Sequence, residues 1–271
     1  MRQRVLTALA MGLVGLPAVV SGGFFYFLVV SVLLAGAAWE YVRLFHIVNY
    51  EPQPIIVIGG VFLIAFARAF FVEAAVPALV FLIMGALTFH LIAFERGRDK
   101  AALDFCVTVG ALVYLGWIGA YLLDLRNLPE GGWWLMLVLP CVWFADTGAY
   151  YIGSAYGRHK MSPRLSPKKS WEGYFAGIVL AVCGGAFLTY AYTAWGGLTG
   201  EIVLWQGAVL GLMIGALAPL GDFGESMFKR QSSIKDSSNV FPGHGGFFDR
   251  IDSWLWAAVI GCYYIQWLVL K

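Results

Sequence analysis

The chain has 271 residues, of which 60% are hydrophobic and only 13% charged, with a formal net charge of +2. Soluble domains average roughly 45–50% apolar and about 25% charged residues, so this chain carries more apolar surface than a water-soluble core can hide. A soluble enzyme, a disordered chain and a nucleic-acid-binding protein are excluded, and lipid becomes the main solvent. Cys106, Cys141, Cys183 and Cys262 lie in apolar runs without C-x-x-C or Cys/His spacing. They read as small buried hydrophobes, not as a zinc site or a disulfide framework.

A spanning helix needs roughly 20 mainly apolar residues. Candidate runs lie at about 5–20, 24–45, 53–72, 75–95, 104–124, 133–153, 173–194, 203–221 and 251–270. The prediction is an all-α, polytopic integral membrane protein with about nine transmembrane helices in a single domain, 1–271. Arg2 and Arg4 precede the first run as in a signal peptide, but no small-x-small cleavage site follows, so a retained anchor is expected. Ser21-Gly22-Gly23 suits a tight turn between runs one and two. With a cytoplasmic N-terminus, every Lys and Arg except Arg68, Arg126 and Lys271 falls on or near the cytoplasmic side. The positive-inside rule therefore selects N-in/C-out. Two cytoplasmic loops, 154–172 and 222–250, are longer than the other connections and hold the unusual chemistry. Residues 1–100 carry no recognisable motif, and 101–271 hold the candidate catalytic helices.

Asp146 lies inside the sixth run. A carboxylate at mid-bilayer costs roughly 2.5–3.5 kcal/mol, so metal binding, ion pairing or proton uptake is the default reading. A buried ion pair within the bundle is the plainer one. Beyond it come Arg158, His159, Lys160, Arg164, Lys168 and Lys169, interrupted by Pro163 and Pro167. This run is either a basic loop against anionic headgroups or a phosphate site. In the second case Lys168 and Lys169 act as point charges, and Ser166 and Ser170 donate hydrogen bonds. The residues alone leave both readings open. Ser170 also suits an N-cap, with Glu172 in the first helical turn.

In the second loop Asp222, Glu225, Ser226 and Lys229 share one face if the eighth helix continues. Pro242-Gly243-His244-Gly245-Gly246 breaks any helix, and its glycines let backbone amides approach an anion closely. No Walker A pattern is present. Asp249 and Asp252 stand three apart, and their oxygens suit a hard cation such as magnesium. Alternatively they pair with Arg250 or Lys229 and cap the last helix. Carboxylates, lysines and a glycine-rich break at a membrane boundary fit a polyphosphate held by metal and lysines beside a lipid-borne reactant.

Ser226-x-Phe228-Lys229-Arg230, Lys235-Asp236-x-Ser238 and Phe241-Pro242-x-His244-Gly245-Gly246-Phe247-x-Asp249-Arg250-Ile251-Asp252 resemble the signature of the phosphatidate cytidylyltransferase (CDP-diacylglycerol synthase) family. Asp146-Thr147-Gly148-Ala149-Tyr150 and Ser166-Pro167-Lys168-Lys169-Ser170-Trp171-Glu172-Gly173 are similar to further segments of that family. The resemblance covers at least the C-terminal half. It implies that CTP and phosphatidic acid give CDP-diacylglycerol and pyrophosphate, with Mg2+, in phospholipid biosynthesis. It also implies a homodimer with its site on the cytoplasmic side. A bacterial inner membrane is expected from the compact chain without an added targeting segment. Whether a second, monovalent cation binds stays open.

On this reading the expected catalytic residues are Asp222, Ser226, Lys229, Arg230, Lys235, Asp236, His244, Asp249, Arg250 and Asp252. Lys168, Lys169, Ser170, Lys229, Arg230, Lys235, Gly245 and Gly246 are expected to hold phosphates. Magnesium falls to Asp222 and Asp249, with Asp252 or Asp146 close by. The expected chemistry is in-line attack of the lipid phosphate on the α-phosphorus of CTP. A CTP-dependent lipid kinase of the polyprenol type is the alternative, and a transporter with Asp146 in its ion path is the second. The acids crowd one membrane side and no inverted repeat is visible, which argues against transport.

Overall fold

The computed structural model describes residues 2–199, 202–234, 237–238, 240–241 and 245–270, with side chains from residue 9 onward. The chain packs as two compact units. Met1–Asp124 and Phe228–Ile251 make the first, and Leu125–Met227 and Asp252–Lys271 make the second. Most of the C-terminal motif is assigned to the same unit as the motif-free N-terminal helices.

The first unit begins with α1 (Arg2–Ser21) and α2 (Gly23–Ile47). Gly22 and Gly23 between them take φ of 63° and 53°, a left-handed turn that favours glycine. Then come α3 (Pro54–Phe70), α4 (Val72–Glu95) and α5 (Ala101–Ala111), with a π-helical turn at Leu112–Ile118 leading to α6 (Tyr121–Asn127). α3 starts where Pro54 presets the first turn and the Gln53 side chain accepts from Ile55 N–H. Arg68 is buried in α3, yet it pairs with Asp124 and lies over the rings of Trp117 and Tyr121. Its charge is thereby neutralised within apolar surroundings.

The second unit holds α7 (Gly131–Tyr156), β1 (Lys160–Ser162), β2 (Ser166–Ser170), α8 (Trp171–Ala191, running on as a π-helical turn), α9 (Leu204–Leu217), the start of α10 (Pro219–Gln231) and most of α11 (Phe248–Leu268). Its helices meet through small residues. Gly173, Gly177, Ala181 and Gly185 recur at four-residue steps on α8, and Gly207, Gly211 and Gly215 do so on α9. A Cβ at Gly177 would lie 2.6 Å from the Ala145 carbonyl oxygen, and one at Gly173 2.7 Å from that of Ala149. Such backbone contact is how helices associate where lipid removes the hydrophobic drive.

Among the described residues six segments are long and apolar enough to cross a membrane: Gly23–Ile47, Val72–Glu95, Ala101–Asn127, Gly131–Tyr156, Trp171–Gly196 and Leu204–Gln231. Leu9–Ser21 and Pro54–Phe70 are shorter apolar helices. Each of the nine predicted runs lies largely within helix among the described residues. Outward side chains such as Leu13, Ile55 and Phe81 stay 70–79% exposed, a surface suited to lipid and not to water.

The all-α membrane fold fits, and some details change. Within it the basic segment of loop 154–172 forms the antiparallel pair β1–β2. Little of that hairpin is buried, so no apolar alternation announced it. Loop 222–250 shortens, because α10 continues to Gln231 and α11 starts at Phe248. Cys141 and Cys262 are buried as expected, but Cys106 and Cys183 are exposed. In a lipid solvent an apolar residue gains nothing by facing inward.

Gly177→Leu is expected to cost about 1–3 kcal/mol, as overpacking does, and to lower the melting midpoint of detergent-purified protein. Gly85→Ala, which meets no atom within 4 Å, is expected to leave that midpoint unchanged.

Candidate active site

The second unit brings the basic hairpin and an acidic group together on helix ends. Ser170 caps α8, its hydroxyl accepting from Gly173 N–H at 3.2 Å. Glu172 in the first turn accepts from the backbone N–H groups of Arg158 and His159 and meets His159 Nδ1 at 2.6 Å. A helix N-terminus favours that anion, and the contacts tie the hairpin to α8. Lys168 is exposed and Lys169 half-buried. Lys169 Nζ lies 2.6 Å from Asp222 Oδ2 and over the Phe223 ring.

Gly221 lets α10 approach α11 closely, since a Cβ there would collide with the Asp252 carbonyl oxygen. This approach gathers Asp222, Glu225 and Asp252, which offer one carboxylate oxygen each within 4.8 Å of one another. Ser226 Oγ donates to Asp222 Oδ1 at 3.3 Å. Glu225 is only 1% exposed. Confining three carboxylates this tightly is costly unless cations offset them, and Lys169 supplies one. All-oxygen donors of this density fit a magnesium ion. The sequence puts Glu225 on the face it shares with Asp222 but gives it no role of its own. Asp146 is exposed and lines an open cleft of about 460 Å³ that also touches Lys160, Lys168, Lys169, Ser170 and Phe223, the neighbour of Asp222.

In the first unit Lys229 Nζ holds Asp249 Oδ1 at 2.6 Å, and both side chains are largely buried. Asp249 Oδ2 accepts from Gly246 N–H at 2.9 Å and lies 2.8 Å from Ser237 Oγ. Burial alone pushes the Asp249 carboxyl up, but the Gly246 N–H and the Lys229 ammonium outweigh it and hold the group below the usual carboxylate range. The Gly246 amide expected to face phosphate is thus directed at Asp249. Gly245 sits at φ 81°, and its carbonyl accepts from Phe241 N–H. Arg230 is exposed. Arg250 Nε is buried without a hydrogen-bond partner among the described residues. Lys235, Asp236, Gly243 and His244 lie outside the described residues.

One residue of this unit belongs to none of the sequence motifs. Glu40 of α2 is fully buried. Its carboxylate accepts from Ser237 Oγ, Ser238 Oγ, Phe247 N–H and Phe248 N–H. The signal was in the sequence, an acid inside an apolar run, which is the same rule that singled out Asp146.

The description "Cytidylyltransferase family" belongs to a family model that matches residues 2–268. The phosphatidate cytidylyltransferase of Pseudomonas aeruginosa is 34% identical over 269 residues, covering 93% of this chain and 92% of that protein. That of Synechocystis is 33% identical over 218 residues, 70% of this chain and 71% of the relative. That of Staphylococcus saprophyticus is 29% identical over 259 residues, 94% and 95% of the two chains.

The depressed carboxyl of Asp249 adds stability that is complete above its unfolded value, about 3.9, and lost as pH falls through the lower folded value. Melting midpoints taken from about pH 6 to pH 3 are expected to fall more steeply for the wild type than for Asp249→Asn at the acid end. Ser170→Ala is expected to cost about 1 kcal/mol as a lost N-cap, read from the same melts at neutral pH.

Proposed function

The chain belongs to the cytidylyltransferase family, and we propose that it transfers the cytidylyl group of CTP to phosphatidic acid, giving CDP-diacylglycerol and pyrophosphate. The observation that carries this reading is the Asp222–Glu225–Asp252 triad with Lys169 at its edge, in a chain whose likeness to phosphatidate cytidylyltransferases runs nearly end to end.

The reaction joins two anions. An oxygen of the lipid phosphate forms a bond to the α-phosphorus of CTP, and the bond from that phosphorus to the β-phosphate bridging oxygen breaks. The electron pair leaves with pyrophosphate. The nucleophile is already negative, so no strong general base is needed. What the protein must do is align the groups and offset their repulsion. In the second unit, Asp222, Glu225 and Asp252 would hold magnesium, which neutralises charge on phosphate oxygens. Lys168 and Lys169 would add cationic contacts, and Ser170 would keep the hairpin on its helix. In the first unit, Lys229 and Arg230 would bind phosphate, while the Gly246 N–H stays on Asp249. The proposed duty of Asp249, paired here with the ammonium of Lys229, as a further metal ligand rests on the family resemblance alone.

We further infer nine spans with the N-terminus and the site on the cytoplasmic face of a bacterial inner membrane. The positive-inside distribution supports the orientation, and the bacterial relatives support the location. A homodimer rests on the family resemblance alone.

The test uses purified protein, phosphatidic acid, magnesium and CTP labelled at either the α or the γ phosphate. Label from the α position is expected in the lipid product. Label from γ alone would identify a lipid kinase instead. Asp222→Asn and Asp249→Asn are expected to lose at least about 100-fold in turnover while inserting normally. Lys100→Ala, whose ammonium lies over the Tyr50 ring, is expected to retain wild-type turnover.

A further inference from the structure

The carboxylate of Glu40 serves none of the steps above, yet it accepts four hydrogen bonds. It is fully buried. Oε1 accepts from Ser238 Oγ and from Phe247 N–H at 2.9 Å, and Oε2 accepts from Ser237 Oγ at 2.8 Å and from Phe248 N–H at 2.9 Å. All four donors belong to the segment that leads into α11. Two are backbone groups at that helix's N-terminus, which have no intrahelical partner and whose dipole favours an anion.

The surroundings are shaped for this contact. A Cβ at Gly246 would run into both Glu40 oxygens and Ser237 Oγ. One turn before Glu40 on α2, Gly36 leaves room for the Phe247 ring, since a Cβ there would overlap it. One turn after, the Leu44 carbonyl accepts from Ser232 Oγ at 2.8 Å. A single stripe of α2, Gly36, Glu40 and Leu44, therefore receives residues on both sides of the glycine-rich turn.

Apolar packing of Phe247 on Gly36 already supplies adhesion. A buried carboxylate is a costly way to add more, because an apolar side chain of similar volume would be cheaper to bury. What the carboxylate adds is direction. Ser237 Oγ stands 2.8 Å from Glu40 Oε2 and 2.8 Å from Asp249 Oδ2, and Gly246 N–H points at Asp249. A displacement of Glu40 is thus passed to Asp249 through one hydroxyl and one peptide.

We propose that Glu40 is a positioning residue for cytidylyl transfer, holding Ser237, Ser238 and the start of α11 so that Asp249 and Lys229 keep their reactive arrangement. The inference rests on the activity proposed above. Glu40 touches no reacting atom and acts through Ser237 and the Gly246–Phe248 backbone.

The test uses the full chain in detergent or nanodiscs. Glu40→Gln keeps the shape but replaces one acceptor oxygen with a donor, and Ser237→Ala cuts the link to Asp249. Turnover is followed with α-labelled CTP, folding by thermal melts, and the turn itself by amide hydrogen exchange. For Glu40→Gln, kcat is expected to fall by about 100-fold, as a misplacement near 1 Å does. KM for phosphatidic acid should stay within about threefold, since a reaction-geometry defect spares ground-state binding. Exchange at Phe247 and Phe248 should quicken while the global melt holds.

The double variant is expected to be no slower than the worse single, because both act on one chain of contacts. Strictly additive losses, unchanged kcat in a folded Glu40→Gln protein, or a kcat loss matched by loss of folded protein would each overturn the proposal. If Glu40→Gln does not fold, Ser237→Ala decides alone, and unchanged kcat there counts against it. A wild type that moves no α label would overturn the activity itself. The exchange readout would then still report whether Glu40 holds the turn.

Discussion

A carboxylate with no exposed surface can persist in an apolar helix only if something donates to every side of it. Glu40 meets that demand with two serine hydroxyls and two peptide N–H groups. The requirement runs in both directions. The N-terminus of α11 needs acceptors for its orphan amides, and Glu40 needs donors to stay buried. Neither group is satisfied until residues from the two ends of the chain meet, about 200 positions apart. That mutual need explains why Phe228–Ile251 packs with the N-terminal helices in one compact unit.

The second unit obeys another constraint. Its helices approach until backbones touch, which only glycine and alanine permit. Closeness has a chemical result at the Gly221 contact, because it brings three carboxylates within 4.8 Å of one another. Acids this close in space repel, so the geometry holds only with compensating cations. Lys169 reaches Asp222 from the hairpin, and the hairpin in turn depends on Glu172 at the head of α8. The ionic site and the helix capping are therefore one mechanical arrangement.

Much of this was legible beforehand, for identifiable reasons. Apolar runs near the thickness of a bilayer mark helices without any tertiary information, and the chain folds them as helices. Ser170 and Glu172 act as cap and first-turn acid because capping is a local matter. The β1–β2 pair was not legible, because it is stabilised by backbone bonds and leaves no apolar alternation in a run of lysines and prolines. Cys106 and Cys183 were misplaced because in lipid the distinction between inside and outside no longer sorts apolar residues. Glu225 was visible only as a face, since the helix had to continue and a second helix had to approach before it became a neighbour of Asp252.

The sequence by itself determined the solvent, the helical runs, the family likeness of 226–252 and the sign of charge on the connecting segments. Each of these depends on composition or on residues close together in the chain. Only the tertiary structure decided which acids stand together, which glycines are contacts and which are turns, and that Glu40, in a stretch without any motif, holds the motif's turn in place. Those are long-range matters. A carboxylate's role depends on which donors arrive beside it, and that is settled when distant segments pack.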